Sequence, residues 1–262
     1  MRVALGLEYH GAAFQGWQTQ PGGNTVQDHL EAALAKVADH AIDTICAGRT
    51  DAGVHATGQV VHFDTHVHRP LQAWVRATNR YLPSGIAVQW AREVDDSFHA
   101  RFGALWRRYD YWLLNAPVRP ALFDGRVGWV FRPLDVAAMA MAAQALVGTH
   151  DFSAFRSSQC QAKTAVRNLQ RLVMTRHGRY VHVCFEANAF LHHMVRNLMG
   201  ALIDVGAGRR PVTWVAEVLA GRDRRLASPT FGPQGLYLTA VHYDARFALP
   251  APADGPWPGS AA

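Results

Sequence analysis

Apolar residues alternate with small ones at the start of the chain. Val3, Leu5 and Leu7 stand between Ala4 and Gly6, a period of two that predicts a strand. After the turn residues Gln20-Pro21-Gly22-Gly23-Asn24 the period lengthens. Val26, Leu30, Ala33, Leu34 and Val37 fall on one face of a helix that either Asn24 or Thr25 caps. Short apolar runs at Ile42–Cys46, Gln59–Phe63 and Ile86–Val94 read as strands, and Pro70 suits the first turn of a helix reaching about Leu82. A similar order follows. Arg107–Asn115 is an aromatic strand with Tyr109 and Tyr111 on one face beside Arg107. Asp135–Val147 is an alanine-rich helix that Gly148 can end, and Val166–Arg176 with Arg179–Ala187 form a hairpin turning at His177-Gly178. Phe190–Val205 reads as a helix with Leu191, Met194, Val195, Leu198, Leu202 and Val205 on its buried stripe, ended by Gly206. Pro211–Ala220 is a shorter helix, and Leu236–Tyr243 is the last strand.

Strands and helices thus alternate twice, which predicts an α+β or α/β layering in two halves. A length of 262 residues suits two modest domains. The boundary is expected between residues 103 and 108, giving halves of 1–105 and 106–248 and a proline-rich tail, 249–262, with the composition of a disordered end. No run of eighteen apolar residues occurs, so no membrane span is expected. The first nine residues meet Glu8 and Tyr9 too early for a secretory signal. Cys46, Cys160 and Cys184 are odd in number and far apart, which speaks against a disulfide framework or a zinc site and for a reducing cytoplasm.

The formal net charge is +6, and all basic residues except Lys36 and Lys163 are arginine. Arginine forks onto phosphate and stacks on bases, so the bias points toward a nucleic acid; a GC-rich genome would produce the same bias.

Chemistry concentrates in Ala47-Gly48-Arg49-Thr50-Asp51-Ala52-Gly53-Val54-His55-Ala56. Small residues let the backbone approach a ligand and leave Asp51 unobstructed, while Arg49 can hold a carboxylate ionised or reach a phosphate. The same residues fit a surface turn in which Asp51 caps a following helix. Phe98-His99-Ala100-Arg101-Phe102 interleaves rings with a cation, as a platform for single-stranded bases would; Tyr109 and Tyr111 suit either base stacking or a core. Arg196 lies beside the apolar stripe of its helix, so its head needs water or an anion. His192 and His193 are adjacent; on a helix they point about 100° apart and do not chelate one ion, so no metal is expected. Gly206-Ala207-Gly208 follows a helix instead of a strand, and no phosphate-loop lysine occurs, so no nucleotide cofactor is expected.

Gly48-Arg49-Thr50-Asp51-Ala52-Gly53-Val54-His55 resembles the signature of the tRNA pseudouridine synthase A family. In the same order follow further resemblances: Leu7-Glu8-Tyr9-His10-Gly11 with Gly16-Trp17-Gln18 precede it, and Gly58–Phe63, Phe98–Phe102, Arg107-Arg108-Tyr109, Asn188–Asn197 and Gly235-Leu236-Tyr237-Leu238 come after. The resemblance runs from about residue 3 to residue 243. It implies an α+β pseudouridine synthase fold: two subdomains with mixed, mainly antiparallel sheets flanked by helices, and a catalytic cleft between them. It implies an isomerase without cofactor that converts uridines at positions 38, 39 and 40 of the tRNA anticodon stem-loop to pseudouridine, in the cytoplasm, as a homodimer.

The resemblance also implies roles. Asp51 is the essential carboxylate, acting as nucleophile at C1′ or C6 or as base at C2′. Tyr109 stacks on the target base, Arg196 partners Asp51, and Leu236 or Leu238 walls the pocket. Arg49 and Arg101 attend the flipped nucleotide, with Phe98, His99, Ala100 and Phe102 in the same tRNA-touching segment. Arg69 and the stretch Arg156-Ser157-Ser158-Gln159-Cys160 match tRNA-contacting positions, the latter less closely at its two serines. Two other classes compete: a non-catalytic RNA-binding protein, and a glycoside or nucleoside hydrolase, for which no second acid matches Asp51 in the sequence.

Overall fold

The computed structural model describes residues 1–251. In chain order the elements are β1 (Arg2–Tyr9), α1 (Val26–Ala38), β2 (Ile45–Cys46), β3 (His55–Asp64), α2 (Leu71–Tyr81), β4 (Ile86–Val94), β5 (Trp106–Asn115) and β6 (Gly128–Val130). Then come α3 (Val136–Ala143), β7 (Gly148–Asp151), β8 (Val166–His177), β9 (Tyr180–Ala187), α4 (Met194–Gly206), α5 (Trp214–Gly221) and β10 (Leu236–His242). The fold is α+β, and the described residues form two compact units, 1–107 with 237 onward, and 108–236.

In the first unit β1 lies antiparallel between β3 and β4. β10 adds to β3 in parallel, with Tyr237 opposite His55, and the short β2 joins β3 as well. Residues 237–248, read from sequence as part of the C-terminal half, therefore return to the first unit, because β10 finds its partner in β3. Thr25 caps α1, its side chain accepting from Asp28 N while Asp28 reaches back to the cap backbone. Leu30, Leu34 and Val37 are buried on one face of α1, each contributing about 1.5–3 kcal/mol through removal from water. Trp74 of α2 is fully buried and meets Phe63 of β3 edge-on at 5.1 Å.

In the second unit the sheet order is β5-β9-β8-β7, with β6 parallel to β5. The β8–β9 hairpin turns where expected, with Gly178 at φ +59°. Val181, Val183 and Phe185 of β9 are fully buried, as are Met194, Leu198 and Leu202 of α4. The opposite side of β5 and β9 carries a polar cluster. Buried Asp110 bonds Arg108 Nε at 3.0 Å and His182 Nε2 at 2.6 Å, and Trp112 stacks on the His182 ring.

Three helices differ from their expected extents, and α5 does so by beginning at Trp214 instead of Pro211. α3 ends at Ala143 and tightens into a 3₁₀ turn, while Gly148 opens β7. α4 begins at Met194, because His193 adopts a left-handed conformation at φ 62° and breaks the helix that Phe190 and Leu191 would continue. The expected tail falls, from residue 252 on, outside the described residues.

Candidate active site

Asp51 is followed by strand β3 from His55 on, so it caps no helix. Its loop is fixed from several directions within the first unit. Ala47 N donates to Val60 O at 2.8 Å, and Gln59 Nε2 donates to Gly48 O at 2.7 Å. The Thr50 hydroxyl pairs with the Tyr9 hydroxyl at 2.8 Å in a buried setting, and Gln59 Nε2 also reaches that phenol. Trp17 N donates to Thr50 O at 2.9 Å, and Val54 N closes a turn onto Asp51 O. Two glycines make this approach possible. Gly16 takes φ +89°, and a methyl there would lie 2.9 Å from Thr50 O; at Gly11 it would lie 1.9 Å from Val54 O. Thr50, Val54 and His55 are thus buried, Asp51 is half-buried, and Arg49 is exposed. A short segment spends most of its side chains on anchorage and offers one carboxylate and one cation.

The second chemistry-bearing segment of this unit splits in the same way. Phe98 is fully buried, meeting Tyr243 and Phe247 at 5.0 Å each. Its ring belongs to the core, which removes it as a stacking platform, and Ala100 is fully buried too. Arg101 and Phe102 are exposed, the latter to 78%, with the Arg101 guanidinium 5.5 Å from the Phe102 ring. His99 shapes the turn, its Nδ1 accepting from the backbone N–H of Arg101 and Phe102. Ala100 N donates to His62 Nδ1 at 3.1 Å. Burial, with the nearby charges of Arg2 and His99, pushes the His62 pKa down to about 4, so the ring is neutral and able to accept. Tyr243 OH donates to Ala100 O at 2.7 Å. Arg69 is exposed, its Nε bonded to Val37 O at the end of α1 at 2.8 Å.

The sequence reading missed Arg107. Its side chain is buried, and it donates to Ala47 O, Arg101 O and Ala104 O. Arg107 falls in the family-like segment Arg107-Arg108-Tyr109, but the segment assigns it no role, and the carbonyls it bonds carry no side-chain identity.

The second unit holds the remaining candidates. Tyr109 is 8% exposed and meets Phe190 edge-on at 4.9 Å. Tyr111 is fully buried, its hydroxyl donating to Gly232 O. Arg196 is half-buried, with Nε on Phe231 O at 2.9 Å. Its neighbour Asn197 is fully buried and receives from Thr230 and Arg224 while donating to Phe155 O. These bonds hold residues 224–231 against α4. His192 and His193 precede the helix, with ring centroids 4.0 Å apart, so the helical geometry that set them apart does not apply. Arg156 reaches Cys160 O at 2.6 Å, and Ser157 N donates to His192 O. Ser158 and Gln159 are exposed, while the Cys160 side chain is buried. Leu236 is buried, and Leu238, the other expected wall residue, is fully so. Cys46, Cys160 and Cys184 are all free thiols; burial pushes Cys46 and Cys184 up to about 12.

A family model described as tRNA pseudouridine synthase matches residues 7–103 and 142–244. The matched stretches contain Asp51, Arg101, Arg156, Arg196 and Leu236; Arg107 and Tyr109 lie between them. The chain is 61% identical over 250 residues to tRNA pseudouridine synthase A of Methylibium petroleiphilum, covering 95% of this chain and 96% of that one. It is 58% identical over 258 residues to the protein of that name from Paraburkholderia xenovorans, at 98% and 96% coverage, and 58% identical over 251 residues to that of Bordetella avium, at 95% and 94%. With a match of this extent and the Asp51 loop intact, the chain belongs to the tRNA pseudouridine synthase family.

Proposed function

We infer that this protein isomerises uridine to pseudouridine in the anticodon stem-loop of tRNAs, at positions 38, 39 and 40. The carrying observation is Asp51 itself: one half-buried carboxylate on a loop clamped at Gly48, Thr50 and Val54, in a chain that matches its relatives over nearly their whole length. The reaction breaks the N1–C1′ bond, turns the uracil and joins C5 to C1′. The proton leaving C5 is balanced by one gained at N1, so nothing is consumed. Whether the carboxylate attacks C1′ or C6 or takes the proton at C2′, it must be held still, which the braced loop favours.

The target base must leave its stack to be reached. Arg49 and Arg101 are exposed cations suited to the vacated strand, and Phe102 is an exposed ring beside Arg101 and His99. Tyr109 stacks on the extruded uracil, Arg196 serves as the partner of Asp51, and Leu236 lines the pocket. Arg69, Arg156 and the backbone of Ser157–Cys160 contact tRNA farther out. The enzyme works in the cytoplasm as a homodimer. Among the described residues no helix is long and apolar enough to cross a membrane.

Carbodiimide mapping of an unmodified tRNA transcript after incubation with the protein tests the reading. Pseudouridine should appear at positions 38, 39 or 40 and nowhere else. Its absence, or its appearance outside the anticodon arm, would overturn the assignment; sedimentation equilibrium tests the dimer.

A further inference from the structure

We propose that Arg107 is a positioning residue for the isomerisation, one that ties the Asp51 loop to the turn presenting Arg101. The proposal rests on the function inferred above. Arg107 is 8% exposed at the start of β5. Its Nη2 donates to Ala47 O at 3.0 Å and to Arg101 O at 2.6 Å, its Nη1 donates to Ala104 O at 3.3 Å, and its Nε points at Ala47 O at 3.3 Å. Ala47 is the first residue of the Asp51 loop, and Arg101 and Ala104 belong to the turn that exposes Arg101 and Phe102.

One planar cation therefore spans two segments that are more than forty residues apart in sequence and share a task. A guanidinium does this because its donors diverge in a fixed plane. A lysine ammonium is a compact point charge and cannot serve three carbonyls set around a plane. The turn has its own brace at Ala100, where Tyr243 OH holds the carbonyl and His62 the N–H. That brace fixes the turn to the sheet. Arg107 fixes the turn to the loop that carries the carboxylate. The hydrogen bond to Arg101 O holds that backbone while the Arg101 side chain stays exposed, where a phosphate is its natural partner.

The test is single-turnover pseudouridine formation by Arg107→Lys at saturating tRNA, with affinity measured separately and activity counted per folded molecule. The rate should fall about tenfold while Kd changes less than about threefold, since a loosened turn misplaces a group that acts after docking. In an Arg101→Ala background, Arg107→Lys should cost less than about twofold, because the group it positions is gone. Tyr243→Phe, which frees Ala100 O from the same turn, should show a smaller loss of the same kind. Where Arg107→Lys folds poorly, Arg107→Gln is measured in the same way. Normal turnover per folded molecule in both variants, or an equal loss with and without Arg101, would overturn the proposal. A wild-type protein that makes no pseudouridine would instead overturn the functional reading beneath it.

Discussion

The loop Ala47–Val54 and the turn Phe98–Ala104 each carry side chains suited to a nucleic acid, and they are braced by different means. The loop is held largely by close approach. Backbone presses on backbone at Gly11 and Gly16, while the buried Thr50–Tyr9 pair, Gln59 Nε2 on Gly48 O and Arg107 on Ala47 O add polar bonds. The turn is held by polar side chains: His62, His99, Tyr243 and Arg107 all bond its backbone. Close approach at glycine is prominent around the loop and side-chain bonds to backbone around the turn, with Arg107 common to both. Two imidazoles, His62 and His99, accept from the turn's backbone, which makes the turn open to acid; the Arg107 guanidinium stays charged throughout.

The largest effect should come from the loop's single reactive group. Asp51→Asn should lower the single-turnover rate on the order of 10³-fold or more, while tRNA affinity stays within about twofold. Substantial turnover by this variant would remove the carboxylate from the chemistry.

Next is the anchor of the turn. Phe98→Ala empties a fully buried ring site against Tyr243 and Phe247 and should cost about 3–5 kcal/mol in urea unfolding. Gly11→Ala tests the loop's steric brace. Its new methyl would fall 1.9 Å from Val54 O, and a cost of about 2–3 kcal/mol with reduced turnover is expected. An unchanged unfolding midpoint would show that the loop yields, and the contrast with the turn would collapse.

The pH test separates the two elements further. The His62 pKa is about 4 in the folded protein against 6.5 in its ordinary state. Protonation therefore favours the unfolded chain: this contribution to stability is complete above about pH 6.5 and is lost as pH falls through 4. Between pH 7 and pH 5 the wild-type midpoint should drop more than that of His62→Gln. Parallel slopes would mean that His62 does not carry the difference. The smallest effect belongs to Phe102→Ala, whose ring is 78% exposed; stability should change by less than about 0.5 kcal/mol.

Much of this was legible in sequence, for reasons that differ by element. Thr25 with Asp28 is a local pattern, and the helix it caps follows from it. The hairpin at His177-Gly178 is equally local, because the turn chemistry sits between two apolar runs. The start of α4 was misplaced because Leu191 is buried, as the helical stripe requires, but reaches the core from a turn; the left-handed conformation of His193 leaves no trace in apolar spacing. Within Phe98–Phe102 the sequence offers two similar rings. Only the partners Tyr243 and Phe247, some 145–150 residues away by the numbering, decide which is core. Asp51 stood out because small residues surround it; Arg107 did not, because the carbonyls of Ala47, Arg101 and Ala104 that it bonds carry no side-chain identity.

The return of β10 to the first unit bears on how the chain is made. β3, which runs directly from the Asp51 loop, receives Tyr237 and Leu238 as neighbours only after residues 108–236 have been polymerised. At roughly 5–20 residues per second, that is a wait of roughly ten seconds on the ribosome. During it, the edge of β3 that will pair with β10 presents open backbone groups, the kind of edge that recruits other strands. The nascent protein thus holds its Asp51 segment in an unfinished sheet until the whole second unit has emerged. A ribosome stalled within residues 108–236 would release a chain whose first unit lacks its closing strand.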